Sequence, residues 1–360
     1  MPYIEVLGQT NEVTVVSPCL DLAERKALGW DQASASSSVS IMVDPTDAEV
    51  RQLLDQKTND VSKTVALFSG IYAFKPVQHW LDISLDYPVE RGIITEAPYT
   101  YKVPLWLHKV RFLFQGSRYV KHIRYVFAIG PDCVRYYRSR SHRWHVVPFL
   151  YCTPNAAPLG EESTGMATEA EGEKECRICF VGSLTDRKNV GTLLRSFALL
   201  KHKHREAYNR CRLTLVGDGE ERPQLEKMVA EASMQDRVEF RGVLPMEEAR
   251  REIAKHDILV LPSVHDGWGA VVNEALMAGT SVMVSDRCGA RSLVDEASRG
   301  RVFPYRDAKA LMDCLWNDYG FFVDAARAAN RRKKIQQWAM EHISPEAVAQ
   351  RMLNALNRKK

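Results

Sequence analysis

The sequence lacks the features that mark membrane-spanning, disulfide-bonded and repeat proteins. No apolar run approaches the ~18–20 residues that cross a bilayer, no secretory signal is visible at Met1–Asn11, and no internal repeat is evident. The eight cysteines of this 360-residue chain are scattered, which predicts free thiols in a reducing compartment. We therefore expect a cytoplasmic protein.

A metal-binding pattern is also missing. Cys176 and Cys179 have the spacing of a ligand pair, but they open an alternating strand, in which positions three apart point to opposite faces. No second Cys or His pair lies near them. We expect no metal site.

Acidic residues are scarce in one segment. The net charge of the chain is only +4, yet residues 102–143 contain ten Lys or Arg and a single acid, Asp132. Such an excess indicates an anionic partner. Because no nucleic-acid-binding motif accompanies it, we expect contact with an anionic membrane or a lipid phosphate, peripheral and at the inner face of the membrane.

One helix predicted in that segment, 104–124, is amphipathic on a 3.6-residue period. Its apolar side is expected to pack in the core and its basic side to face the anionic partner. The apolar side comprises Leu105, Phe112, Leu113, Tyr119, Val120 and Ile123, and the basic side Arg111, Arg118, Lys121 and His122.

What the chain does contain is a regular alternation of short apolar strands and helices, with 45% hydrophobic and 26% charged residues overall. This alternation predicts parallel βαβ units. The predicted strands are 13–16, 39–43, 64–68, 92–95, 125–129, 146–149, 177–181, 212–216, 238–241, 258–261 and 281–285, and the predicted helices are 47–56, 76–85, 104–124, 131–140, 190–201, 222–232, 246–255, 270–278, 308–315 and 345–357.

Composition divides the chain in two. Residues 153–175 are rich in Pro, Ala, Gly, Ser, Thr and Glu and contain no Val, Ile or aromatic residue, which is typical of a linker. We therefore predict an α/β protein with two doubly wound, Rossmann-like domains, 1–152 and 176–340, and a C-terminal helix in 341–360 that packs back on the first domain. Ligands of such sheets bind at the carboxyl ends of the strands, in the cleft between the domains.

The most informative stretch is Pro262–Val282. Asp266 and Glu274 flank a Gly-Trp-Gly turn and the first turn of a helix. The N–H groups of a helix N-terminus suit a diphosphate, glycines let a ligand approach the backbone, and carboxylates accept sugar hydroxyls. The set predicts a nucleotide-sugar site. The alternative, a capped turn with Trp268 as a packing anchor, leaves Glu274 unexplained, since a carboxylate is costly to bury without a partner.

Two further loops follow predicted strands. In Phe180–Val190, Gly182 allows close backbone approach and Lys188 lies next to a helix N-terminus, which together predict a phosphate site. An ordinary loop with a solvated lysine is the alternative. Gly217 opens a Gly-Asp-Gly turn after the next strand; the loop is a binding candidate, whereas Asp218 itself is interpreted as a turn residue.

In the first domain, polar residues end two predicted strands. Ser69, Gly70 and Glu96 are candidates for binding an acceptor. Plain loop polarity is the alternative interpretation.

Three motifs, FVGSLTDRKNV, LTLVGDGEERPQLE and DILVLPSVHDGWGAVVNEALMAGTSVMVSD, together resemble the retaining glycosyltransferases of family four, the glycosyl transferases group 1. The resemblance is close over 176–315 and looser before it. It implies the GT-B fold, two Rossmann-like domains that face each other across a cleft. It also implies transfer of a sugar from a nucleoside diphosphate with retention at the anomeric carbon, without a cofactor or a metal.

The resemblance also implies roles for individual residues. Glu274 is expected to bind the nucleotide ribose, Asp266 the transferred sugar and Lys188 the diphosphate. The other positions expected to meet the donor are Gly182, Ser183, Gly217, Gly267, Trp268, Gly269, Ala270 and Val271.

The sequence departs from the family pattern at three places. Asp266 stands where glutamate is usual, and Ser183 stands where arginine is usual, with Arg187 as a candidate replacement for that charge. The chain opens on a predicted helix at 1–7 and a strand at 13–16, so the usual first strand and its glycine-rich loop have no counterpart.

The leading hypothesis is therefore a transferase that moves a sugar from a nucleotide-sugar donor to a glycan or to a polyprenyl- or lipid-linked acceptor of the cell envelope. Two alternatives remain open. One is a non-catalytic nucleotide-sugar-binding or partner subunit, which Ser183 and the missing first strand favour. The other is a nucleotide-sugar epimerase or a glycan phosphorylase of the same fold. An epimerase would have Glu96 as its acid/base candidate, and a phosphorylase would be far longer and need a pyridoxal-binding lysine.

Overall fold

A computed structural model describes residues 2–18, 38–58, 64–71, 74–98, 103–154, 174–294 and 298–357 of the chain. The predicted linker, 153–175, lies almost entirely outside the described residues. Of the described residues, those up to 151 and from 348 onward form one compact unit, and those from 152 to 347 form a second.

The first unit is built on parallel strands. Two strands pair with each other, β1 (Val13–Ser17) and β2 (Val39–Val43). Four more form a parallel sheet in chain order: β3 (Val65–Ser69), β4 (Glu90–Glu96), β5 (Tyr125–Ile129) and β6 (His145–Phe149). All five residues of β5 are buried, as expected for a parallel strand covered on both faces.

Helices alternate with these strands, as predicted. They are α1 (Pro2–Gly8), α2 (Asp47–Thr58), α3 (Lys75–Ser84), α4 (Leu105–Arg111) and α5 (Pro131–Arg138). The C-terminal helix contributes to the same unit from Val348 onward, and the Tyr125 hydroxyl donates a hydrogen bond to the Leu356 carbonyl (3.3 Å).

The predicted helix 104–124 is wrong as a continuous element. After α4, the chain makes a π-helical turn at Phe112–Gly116 and a 3-10 turn at Ser117–Tyr119. The wider π turn shifts the helical register, and Ser117 Oγ donates to the Leu113 carbonyl (2.7 Å). Leu113, expected in the core, is exposed, and so is Leu105, which precedes the π turn, whereas Phe112 and Tyr119 are buried as predicted.

The second unit contains a six-stranded parallel sheet in the order β12-β11-β10-β7-β8-β9. Its strands are β7 (Cys176–Val181), β8 (Cys211–Val216), β9 (Val238–Gly242), β10 (Ile258–Leu261), β11 (Ser281–Ser285) and β12 (Gly300–Phe303). From β7 the chain builds outward through β8 and β9, then returns to the other side of β7 to lay down β10. The strand order therefore reverses between β7 and β10, which is the switch point where ligands of such sheets bind.

The helices of this unit are α6 (Val190–Lys203), α7 (Arg205–Asn209), α8 (Arg222–Glu231), α9 (Met246–Ala254), α10 (Ala270–Met277), α11 (Ala308–Phe322) and α12 (Ala325–Ile343), and α13 (Pro345–Leu356) follows them. The sequence analysis predicts neither α12 nor β12. In α12 the basic run 331–334 interrupts an apolar period that only burial makes evident, at Ala328, Ile335, Ala339 and Ile343.

The two loops that follow β7 and β8 are in backbone contact. Gly217 has a φ of +129° and donates its N–H to the Gly242 carbonyl (2.7 Å). A Cβ atom at this position would lie 1.9 Å from the carbonyl oxygen of Gly182. Only glycine therefore allows these loops to meet.

We predict that Gly217→Ala lowers the free energy of unfolding of the second unit by at least ~2 kcal/mol, because a Cβ atom adds both backbone strain and a backbone clash. Gly320→Ala is the matched control, since Gly320 lies within α11 and a Cβ there meets nothing within 4 Å. Thermal unfolding of both variants measures the difference. Equal melting temperatures for the two would contradict the close approach.

Candidate functional site

Three loops meet at the switch point of the second sheet, at the carboxyl ends of β7, β8 and β10. Backbone hydrogen bonds join the first two: Gly182 donates to the Val216 carbonyl (3.0 Å) and Leu184 to the Asp218 carbonyl (2.9 Å). Glu221 then donates back to the Leu184 carbonyl (3.0 Å). The first two motifs therefore form one backbone-bonded unit in which Asp218 acts as a turn residue, as interpreted from the sequence.

The third motif is bonded to the first. Val264 donates its N–H to the Arg187 carbonyl (2.9 Å), and the Arg187 guanidinium donates to the His265 carbonyl (3.2 Å). Asn189, at the start of α6 with a φ of +54°, donates through its amide to the Pro262 carbonyl (3.0 Å). These contacts bring the lysine of the first motif to the aspartate of the third.

At the centre of these loops is an ion pair. Lys188 Nζ lies 2.6 Å from Asp266 Oδ2, and the two side chains are only 13% and 12% exposed. Ser263 Oγ is 3.5 Å from the same carboxylate oxygen, and the Arg187 guanidinium is 3.8 Å from it. Arg187, the candidate replacement for the missing arginine, thus adds its charge to this cluster. Ser183, half-buried in the first loop, stands where the arginine is usual.

A segment that the sequence analysis does not single out supports the glycine-rich turn. Asp266 pairs with Cys288 as a parallel β-bridge, Gly289 donates to the Asp266 carbonyl (3.0 Å), and Ala290 donates to the Trp268 carbonyl (2.8 Å). The one signal of this support in the sequence is Gly289. Only glycine fits there, because a Cβ atom would lie 2.0 Å from the Gly267 carbonyl oxygen. The turn is therefore held by one isolated β-bridge and two further backbone hydrogen bonds.

The end of that turn begins α10. Gly269, with a φ of +92°, precedes Ala270 and Val271, and no side chain caps the N-terminus of the helix. The Trp268 indole is 3% exposed and donates to Asn273 Oδ1 (2.7 Å). Trp268 is thus a packing anchor, as in the alternative interpretation.

Glu274 has a partner that the sequence does not reveal. Its Oε1 lies 3.2 Å from Arg250 Nε of α9. Burial raises the pKa of the Glu274 carboxyl above its usual value, and the Arg250 charge acts in the opposite direction. A carboxylate expected to be costly to bury is therefore compensated in part by a cation from the neighbouring helix.

The acceptor candidates belong to the first unit. Ser69 ends β3 and Glu96 ends β4, and these strands are neighbours in the sheet. Gly70 follows with a φ of +77°. All three lie at the carboxyl edge of one parallel sheet, which is the edge expected for binding.

The described part of the chain has neither a metal-binding cluster nor a membrane-spanning helix. No group of three or more His, Cys, Asp or Glu is arranged to hold a metal ion there. In that same part, no helix combines the length and apolarity needed to cross a membrane.

Comparison with a solved structure identifies the fold class. A solved structure of Anabaena HepE in complex with UDP matches 96% of this chain and 99% of that one, with a TM-score of 0.67 and 12% identity. The predicted fold class is confirmed: the protein has the GT-B fold, with two Rossmann-like domains.

Residues 164–315 match the family Glycosyl transferases group 1. This segment contains the ion pair and Glu274, and the match confirms the resemblance to the group 1 glycosyl transferases seen in the sequence.

Individual curated relatives align with less than half of the chain. An uncharacterized glycosyltransferase of Methanocaldococcus jannaschii is 28% identical over 181 residues, which is 49% of this chain and 44% of the relative. The amylovoran biosynthesis glycosyltransferase AmsK of Erwinia amylovora is 30% identical over 146 residues, 39% of this chain and 35% of the relative. The chain therefore aligns with less than half the length of these curated relatives.

We predict strong energetic coupling between Lys188 and Asp266. Lys188→Ala or Asp266→Ala alone is expected to cost about 2–4 kcal/mol of stability, and the double variant is expected to cost less than the sum. Asp266→Ala removes the carboxylate that pairs with the poorly solvated Lys188 ammonium, and Lys188→Ala leaves Asp266 with only the more distant Arg187 guanidinium (3.8 Å). The exposed pair Lys309–Asp313, at 2.7 Å, is the control and should couple by less than about 0.5 kcal/mol. Additive losses at Lys188 and Asp266, measured by thermal unfolding, would contradict the pair.

Proposed function

We propose that this protein is a retaining glycosyltransferase that moves a sugar from a nucleoside diphosphate to a glycan or a lipid-linked acceptor of the cell envelope. The observation that carries the proposal is the position of Lys188, Asp266 and Glu274. Lys188 and Asp266 pair at the switch point, Asp266 lies four residues before the uncapped start of α10, and Glu274 lies one turn along that helix. All three fall in the segment that matches the group 1 glycosyl transferases. Two similar proteins support the proposal. The structure of HepE was solved in complex with UDP, and AmsK is a glycosyltransferase of amylovoran biosynthesis.

In this proposal the site works by electrostatics. The Lys188 ammonium and the N–H groups of the first turn of α10 stabilise the diphosphate as it departs, which requires no protein nucleophile. Glu274 accepts the ribose hydroxyls. The contacts described for Asp266 reach Oδ2, so we assign Oδ1 to a hydroxyl of the transferred sugar.

We predict that Glu274→Gln weakens binding of the donor nucleotide about 10- to 100-fold, the range expected when a hydrogen bond to a charged group is lost. Lys188→Ala should weaken it less, because Arg187 remains, but should reduce turnover strongly. Calorimetry against UDP-, GDP- and dTDP-sugars measures binding, and release of nucleoside diphosphate measures turnover.

Glu226→Gln, on the exposed surface of α8, is the matched control and should bind donor like wild type. Nucleotide-sugar binding that neither Glu274→Gln nor Lys188→Ala changes would contradict the assigned donor site. Donor binding without any release of nucleoside diphosphate, tested with acceptor lipid extracts, would instead favour the non-catalytic subunit.

We also propose that the acceptor side of the protein meets an anionic membrane through α4 and the π turn. Among the described residues, fourteen large hydrophobic side chains are exposed, and six of them fall within ten consecutive positions. Those six are Leu105, Trp106, Leu107, Val110, Leu113 and Phe114, with Phe114 84% exposed.

Charge complements this apolar patch. His108, Lys109 and Arg111 lie in the last turn of α4, and the first turn of α4 contains no acid. An apolar face with tryptophan and phenylalanine beside basic residues is typical of helices that lie in the interface of an anionic bilayer. In this proposal the contact is therefore mixed apolar and basic, not purely basic as expected from the sequence.

We predict that the protein binds vesicles with 30% phosphatidylglycerol and that Trp106→Ser/Phe114→Ser lowers the partition coefficient at least ~10-fold, the loss expected when about 1.4 kcal/mol of apolar transfer energy is removed. Co-sedimentation measures it. Trp316→Ser/Phe321→Ser removes two exposed aromatic side chains from the second unit and should bind like wild type. Equal binding of both variants, or a concentration-dependent dimer lost with Trp106 and Phe114, would contradict the membrane contact.

A further inference from the structure

Arg250 is a candidate for a role that the donor-site motifs do not assign. It lies on α9, outside the three motifs that carry the family resemblance, and its guanidinium contacts Glu274 of α10. We infer that Arg250 is a positioning residue that holds the Glu274 carboxylate oriented for the ribose of the nucleotide. This inference rests on the function proposed above.

The geometry of Arg250 is fixed from its own helix. Its Nη1 donates to Glu247 Oε1 (2.6 Å), one turn earlier, and its Nη2 lies 3.5 Å from Met246 Sδ. The side chain is only 20% exposed. While Nη1 and Nη2 both contact residues of α9, Nε donates to Glu274 Oε1 (3.2 Å). The planar guanidinium makes this arrangement possible, because it offers several donors in one rigid plane.

This contact gives the two oxygens of the Glu274 carboxylate different roles. Arg250 occupies Oε1, so we expect the ribose hydroxyls to use Oε2. A charged carboxylate accepts hydrogen bonds at both oxygens, whereas the protonated acid turns one oxygen into a donor. Ribose binding therefore depends on the charge that Arg250 supports.

The charged groups around Glu274 come mainly from α9. Arg250 favours the ionised form and Glu247 opposes it. The elements packed against α10 are α9, α12, β10, β11 and the 3-10 turn Gly289–Leu293. β10 and β11 contain no titratable residue.

The contacts described for three arginines on the other two elements are with groups other than Glu274. On the 3-10 turn, Arg291 donates to the Cys288 carbonyl (3.0 Å). On α12, Arg332 donates to the carbonyls of Ala254 (2.8 Å) and Ala278 (3.0 Å), and Arg331 lies 3.5 Å from Asp318. Arg250 is thus the cation that the described contacts place on Glu274.

The sign of the pH dependence follows from the burial. Because burial raises the pKa of Glu274, the carboxyl takes up a proton as the pH falls toward that raised pKa, and nucleotide affinity falls with it. Removal of the Arg250 charge raises the pKa further. The loss of affinity must then begin at a higher pH than in the wild type.

The test compares nucleoside diphosphate binding by Arg250→Met, Arg250→Lys and Arg251→Met between pH 5 and pH 8, by calorimetry with UDP, and with GDP and dTDP in parallel. Arg250→Met should bind about 10-fold more weakly at pH 7, and its loss of affinity should begin about one pH unit higher than in wild type. Arg250→Lys should retain most of the wild-type profile, because it keeps the charge. Arg251→Met, the exposed neighbour, should match wild type throughout.

Two further measurements keep the outcome decisive. In a Glu274→Gln background, which has no carboxyl to titrate, Arg250→Met should not shift the pH profile. If Arg250→Met fails to fold, Arg250→Gln, which keeps a donor but not the charge, gives the same readout.

A uniform loss of affinity with an unchanged pH profile would overturn the positioning role, because a merely structural residue acts that way. Wild-type nucleotide binding by Glu274→Gln would instead overturn the proposed donor site itself. The two failures are therefore distinguishable.

Discussion

The ion pair between Lys188 and Asp266 links the loops that follow β7 and β10, the two strands between which the strand order of the second sheet reverses. Lys188 follows β7 and Asp266 follows β10, and their 2.6 Å contact lies at the carboxyl edge between those strands. Neither charge is well solvated, so each depends on the other. The loops that carry them are bonded to one another through Val264 and Asn189, and the turn at Gly267–Gly269 follows directly. The start of α10 is positioned by this arrangement.

The same principle recurs one turn along α10, where Glu274 meets Arg250. Two carboxylates and two cations are therefore placed in the protein before any ligand binds. A site whose charges are already oriented does not have to reorganise when a phosphate leaves, and this preorganisation is the main source of electrostatic stabilisation in enzymes. Both pairs consist of side chains that are less than one-quarter exposed, which strengthens their interaction relative to that of surface pairs.

Much of the fold and part of the site could be predicted from the sequence, for identifiable reasons. β10 is a continuous apolar run and β11 is an apolar run between two serines, so their bounds were predictable to the residue. Transitions from strand to loop to helix located Lys188, Asp266 and Glu274. Arg250 was not predictable, because its contact joins two helices that no local pattern relates. The π turn after Arg111 was not predictable for a similar reason, because its sequence fits a regular helical period. Only tertiary packing shows that Leu113 is exposed while Phe112 is buried.

The central claim is that the loops around Lys188, Asp266 and Glu274 bind a nucleoside diphosphate in one orientation. A crystal structure of the protein soaked with the nucleoside diphosphate that it binds most tightly tests this most directly. The β-phosphate is predicted within hydrogen-bond distance of Lys188 and of the first N–H groups of α10, with the ribose hydroxyls on the free oxygen of Glu274. A nucleotide bound away from α10, or with its ribose turned from Glu274, would contradict the account.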